Sequence, residues 1–103
     1  MKNVILFYSP RNSPNNAAGL RLLQELTKSE DLIVVLMQDA VLQALDGLSG
    51  SYFQNISSGY VLDEHLAKRG FTRESLQSPF RVVNYDEFTE LVMNDETHVV
   101  GSF

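Results

Sequence analysis

Asp39, Asp63 and Asn84 each stand where an apolar run gives way to a helical pattern. A carboxylate at such a corner can serve as a general base, ligate a metal ion, or accept the free N–H groups of the helix that follows. Capping alone explains all three positions. If the runs before them are neighbouring strands ending on one edge of a sheet, the three corners cluster, with Gln38 beside Asp39 and Tyr85 beside Asn84. Asp39 and Asp63 around a divalent cation would then be one possible centre, a weak one without a third ligand. Arg11 lies in the loop Ser9–Asn16 and could offer its cation, with backbone N–H groups of the next helix, to a small anion.

The remaining reactive types are few. His65 falls in the first turn of a helix beside Asp63 and Glu64, where exposure and a pKa raised by acidic neighbours are expected. His98 reads as an exposed strand residue. Ser9 and Ser13 have no evident histidine base, so nucleophilic catalysis has no support. There is no cysteine, which removes disulfides, thiolate nucleophiles, thiolate metal sites and persulfide carriage by this chain. The loop Ser9–Asn16 contains no glycine and Gly19 stands alone, so neither phosphate-binding glycine fingerprint is present. These residues predict a binding module without cofactor or metal, and do not name a reaction.

The elements that position these residues follow from the patterning. Six apolar residues in a row, Leu32–Met37, predict a strand covered on both faces, as in the centre of a parallel sheet. It ends at Gln38-Asp39, after which Val41, Leu42 and Leu45 recur at helical spacing up to a stop at Gly47. Val4–Tyr8 predicts the first strand. Ser13 before Pro14 predicts an N-cap and a first helix running to about Lys28, burying Leu20, Leu23 and Leu26 with Ala17 and Leu22. Gly59–Leu62 predicts the third strand, followed by a helix from Asp63 stopped by Gly70 in a left-handed conformation. Thr72–Leu76 predicts one further helical turn and Phe80–Val83 the fourth strand. Asn84 and Glu87 have capping-box spacing for the last helix, and Thr97–Phe103 reads as a final strand. In the segment 48–58, Tyr52, Phe53 and Ile56 either form an exposed interface with another subunit or cap the domain's own core.

Strands alternating with helices imply right-handed parallel crossovers with helices on both faces. The expectation is one α/β domain over residues 1–103, three layers deep, with a mainly parallel five-stranded sheet whose last strand lies at an edge in a direction the pattern leaves open. Its 103 residues carry thirteen acidic and eight basic side chains, a net charge of −5. That balance disfavours direct nucleic-acid or membrane-surface binding, and Lys68, Arg69 and Arg73 read as solvated surface. No apolar run approaches the roughly 18 residues needed to span a bilayer. A cytoplasmic location is the default.

Three separated segments resemble the DsrH/TusB family. Gln38-Asp39-Ala40-Val41 leading to Ala44-Leu45-Asp46-Gly47 resembles its "QDGV…A" corner, with Ala40 in place of the family glycine. Tyr60-Val61-Leu62-Asp63-Glu64 followed by Leu66-Ala67-Lys68-Arg69-Gly70-Phe71 resembles "VYVL…DL.ARG", and Val82 to Leu91 resembles "IDY..FV.L". Ser9-Pro10 after the first strand and the aromatic Phe103 also fit. The resemblance implies a DsrE-like fold and a non-catalytic subunit of a sulfur relay, serving tRNA wobble-uridine 2-thiolation or sulfur oxidation. It also implies partners: DsrE/DsrF-type (TusD/TusC-type) subunits, one of which carries the sulfur on a cysteine, or other copies of the chain itself. The corner residues Gln38, Asp39, Asp63, Asn84 and Tyr85, with Arg11, then become the expected binding or partner-facing edge. The rival reading is a stand-alone binding protein for a small anion.

Overall fold

The structure is a computed structural model that describes residues 2–26, 32–45, 53, 56 and 58–103. Five parallel strands form one sheet in the order β4-β3-β2-β1-β5, with β1 Lys2–Phe7, β2 Leu32–Leu36, β3 Ser58–Leu62, β4 Phe80–Val83 and β5 Thr97–Ser102. The last strand lies at an edge, as expected, and its direction is parallel. Val4 stands opposite Ile33 on one side and Val99 on the other, and the β1–β5 register shifts by a bulge between Val4 and Ile5. All five residues of β2 are buried, which is why its sequence shows no alternation.

The helices are α1 (Pro14–Leu26), α2 (Asp63–Lys68) and α3 (Tyr85–Met93). Ser13 begins α1 as predicted: its Oγ accepts the Asn16 N–H at 3.1 Å, and Pro14 occupies the first helical position, where a missing N–H costs nothing. The 3-10 turn Gln38–Ala44 follows β2 where an α-helix up to Gly47 is expected. A second 3-10 turn, Arg73–Ser75, occupies the expected Thr72–Leu76 region, and Gly70 ends α2 at φ 82°. The end of α1 near Lys28, the stop at Gly47 and Tyr52 lie outside the described residues.

The two faces of the sheet are covered unequally. α1, the Gln38–Ala44 turn and α2 lie on one face, where Leu23, Ala40, Val41, Ala44 and Leu66 join Ile5, Phe7, Val34 and Val61 in the main core. Within α1 only Leu23 of the expected apolar set is fully buried, whereas Ala17 is exposed and Gly19 and Asn16 are buried. Among the described residues, α3 is the helix that covers the other face, laying Phe88 and Leu91 on Val4, Ile33 and Val35.

Phe53 and Ile56 belong to the main core, at 2% and 8% exposure. Of the two readings open for these side chains, packing on the domain's own core is the one observed for Phe53 and Ile56, and the exposed interface is not. Phe53 sits edge-on between Phe7, at the end of β1, and Phe80, at the start of β4, with ring centroids at 5.9 and 5.3 Å. The aromatic pairs favour that edge-to-face arrangement beyond the area they bury. Among the described residues, no helix is long and apolar enough to cross a membrane.

Candidate functional site

The carboxyl ends of β2, β3 and β4 lie side by side in the sheet order, so the chain segments after them meet on one edge. In open α/β sheets this edge is where ligands and partners are met. The side chain that joins the segments is His65, in the first turn of α2. Its Nδ1 accepts the backbone N–H of Gln38 at 2.8 Å, and its Nε2 lies 2.8 Å from the Tyr85 hydroxyl oxygen. A neutral imidazole that accepts at Nδ1 carries its proton at Nε2, so His65 donates to Tyr85 and leaves the phenol hydrogen free to point elsewhere. Tyr85 is 45% exposed.

Gln38 makes this possible through its backbone. It has φ 50°, a left-handed conformation that costs a non-glycine residue about 1–2 kcal/mol. The turn aims its N–H at the imidazole and starts the 3-10 turn immediately after the strand. Asp39 therefore arrives too late to be the cap: Met37 holds that position and no side chain caps the turn. The Asp39 carboxylate instead pairs with Arg69, whose Nη2 and Nε donate to Oδ1 at 2.8 and 3.3 Å. Arg69 Nη1 also donates to the His65 carbonyl at 2.9 Å. Asp39, Arg69, His65, Gln38 and Tyr85 thus form one connected set across three strand ends.

The other corner residues divide. Asn84 is a capping residue: its side chain accepts the Glu87 N–H at 2.8 Å and the Glu87 carboxylate accepts the Asn84 N–H at 3.0 Å. Asp63 is exposed and is the first residue of α2, with Leu62 at the cap position and no side-chain cap bond, which corrects its expected capping role. Its charge still lies at the favourable end of the helix. Neither residue is hydrogen-bonded to the His65 set. Among the described residues no group of three His, Asp or Glu side chains could hold a metal ion, so the Asp39–Asp63 cation centre has no donor set.

The pKa of His65 is lowered from 6.5, chiefly by burial and then by the positive charges of Arg69 and Lys68, with Glu64 opposing. The expected upward shift is therefore reversed. Partial burial against Gln38 and Tyr85 outweighs the nearby carboxylate, and its cationic neighbours one helical turn on add to the same side. His65 was not among the expected edge residues. Its signal was topological: it matters only once β2, β3 and β4 are known to be adjacent.

Arg11 lies further along the same edge. With Pro10, Asn12, Asp39, Leu42 and Gln43 it lines a pocket of about 320 Å³ between the β1–α1 loop and the 3-10 turn. The edge thus brings Gln38 and Tyr85 together through His65, attaches Asp39 through Arg69, and places Arg11 beside Asp39.

Comparison with known proteins agrees with this architecture. The crystal structure of the ychN protein from E.coli superposes with a TM-score of 0.80 at 19% identity, covering 98% of this chain and 99% of that one. The solution NMR structure of protein Tm0979 from Thermotoga maritima gives a TM-score of 0.60, also at 19% identity, over 91% of this chain and 94% of that one. At such identities the likeness is one of fold. No curated protein matches the sequence significantly. The family model described as "DsrH like protein" matches residues 12–98, and the chain belongs to that DsrH-like family.

Proposed function

We propose that the chain is a non-catalytic DsrH/TusB-like subunit of a cytoplasmic sulfur-relay assembly, supporting a cysteine carried by a related DsrE/DsrF-type (TusD/TusC-type) partner subunit or acting among copies of itself. One observation carries this reading: a member of the DsrH-like family that has no cysteine anywhere in its 103 residues. Without a thiol it cannot hold sulfur as a persulfide. Its contribution is then to the assembly. The ordered edge supports this role, because His65 and Arg69 hold the segments after β2, β3 and β4 in one arrangement that a partner can meet without reorganising it.

The test is affinity capture of the tagged chain from its native cell, with the captured proteins identified and the complex sized. A related α/β subunit bearing an alkylatable persulfide cysteine should come down in fixed ratio. Deleting the chain should lower either 2-thiouridine in tRNA or the oxidation of reduced sulfur, and the affected product names the branch. A chain that stays monomeric in an extract containing such subunits would overturn the proposal.

A further inference from the structure

We propose that the pocket between the β1–α1 loop and the Gln38–Ala44 turn is a binding site for a small organic monoanion, its carboxylate held by Arg11. The volume, about 320 Å³, lies at the lower end of the roughly 300–1,000 Å³ seen for small-molecule sites. Pro10 and Leu42 supply apolar wall, and Arg11, Asn12, Asp39 and Gln43 supply polar groups. This assignment stands apart from the sulfur-relay reading, since the pocket is formed by this chain alone.

Charge selects the ligand. The described residues contain two ion pairs, Arg69–Asp39 and Arg73–Glu74, so Arg11 has no ionic partner among them. Asp39 is already offset by Arg69, which among the described residues leaves Arg11 as a surplus positive charge at the pocket. A monoanion neutralises it. A dianion would bring its second charge toward the Asp39 carboxylate, a modest repulsion at a side chain that is 58% exposed, so the preference for a monoanion is one of degree.

A second, independent observation is the amide of Gln43. The residue is 3% exposed, and its side chain is locked to Asn16, itself fully buried, by reciprocal bonds of 2.7 and 3.3 Å. Asn16 Nδ2 also donates to the Arg11 carbonyl at 3.2 Å, so the same amide pair fixes the loop that carries the guanidinium. Gln43 Nε2 has a second hydrogen with no partner among the described residues. That nitrogen already has one acceptor in Asn16 Oδ1, so its remaining hydrogen can serve a ligand without breaking the pair, and Gln43 is a residue of the pocket wall. A carboxylate on Arg11 with a hydroxyl or carbonyl a few bonds away can meet both groups at once.

The experiment is a titration of the full-length, 15N-labelled chain with 3-hydroxybutyrate, followed by NMR and matched in ionic strength with sodium chloride. Saturable shifts are expected for the side-chain amides of Gln43 and Asn16 and the backbone N–H groups of Arg11 and Asn12. Arg11→Gln should weaken binding by roughly tenfold or more, as loss of a charge-assisted bond does, while the Gln43–Asn16 amide signals of the free protein keep their positions and show the fold intact. Phosphate should bind more weakly to the native chain and gain affinity in Asp39→Asn. Absence of a saturable shift, an Arg11→Gln variant that binds as well as the native chain, or phosphate binding as tightly as 3-hydroxybutyrate would overturn the assignment.

Discussion

His65 Nε2 and the Tyr85 hydroxyl oxygen are 2.8 Å apart, and this contact ties the first turn of α2 to the first turn of α3. Their rings meet nearly edge-on, at an interplanar angle of 79°. With the Gln38 N–H occupying Nδ1, the histidine belongs to three chain segments at once and its protonation state is linked to all of them.

Protonation would place a hydrogen on Nδ1 facing the Gln38 N–H, donor against donor. Burial, then Arg69, then Lys68 already lower the folded-state pKa below 6.5. Between the folded and unfolded pKa values the unfolded chain therefore binds more protons, and stability rises with pH. The contribution should be complete above about 6.5, decline as pH falls through that value, and level off below the folded-state pKa. Urea unfolding of the native chain and His65→Gln on either side of pH 6.5 checks this. A native-minus-variant difference independent of pH would refute it.

The Asp39–Arg69 pair is expected to contribute little by itself. The side chains are 58% and 25% exposed, and exposed pairs are worth about 0.2–1 kcal/mol. Arg69→Ala should nevertheless cost more than Asp39→Ala, about 1–2 kcal/mol in all, because it also removes the donor to the His65 carbonyl. A double-mutant cycle in chemical denaturation separates the two parts, and a coupling well above 1 kcal/mol would contradict the exposed-pair view.

The Asn16–Gln43 amide pair should behave in the opposite way. Asn16→Ala leaves the buried Gln43 amide without its partner, a loss of about 1–3 kcal/mol. Replacing both residues with leucine should cost less than the sum of the single replacements, since no polar group is then stranded. Additive losses in calorimetry would show that the pair is not a unit.

Gly19→Ala should destabilise, against the helix preference that would favour alanine by up to about 1 kcal/mol. A Cβ there would collide with the Phe7 ring and lie 2.9 Å from Phe103 Cγ. Those rings pack together at a centroid distance of 6.0 Å, so neither can yield freely, and overpacking of this kind costs about 1–3 kcal/mol. Thermal unfolding gives the sign directly; a raised melting temperature would mean that the rings repack.

What could be read from the sequence follows a clear division. Local signals stated their own outcome: the Ser13-Pro14 start, the Gly70 stop, the Asn84–Glu87 capping box and the strand Phe80–Val83 are all observed. The all-apolar β2 revealed the sheet centre because both of its faces are covered. The site was legible only as a place. Asp39 reads as a cap because acidic residues at such corners usually are; the turn instead has Met37 at its cap, two residues earlier, and no pattern announces the left-handed conformation of Gln38 in a glutamine. His65 and Arg69 acquire their roles from residues 20 to 30 positions away in sequence, beyond the reach of spacing arguments. Asn16 and Gln43 look like surface amides until α1 is laid on the sheet.

The unequal covering of the sheet makes its two faces differ in cooperativity. The main core draws on α1, the 3-10 turn, Phe53, Ile56 and α2, pieces far apart along the chain, so no single local opening exposes it. Among the described residues, the other face is covered by one contiguous piece, α3 leading into β5. If that piece detaches, Val4, Ile33 and Val35 lose their cover together and β1 loses a pairing partner in the same step. Such contiguous units open below the global unfolding free energy. The α3–β5 segment, with Tyr85 at its head, therefore couples the integrity of the second core to the His65 edge.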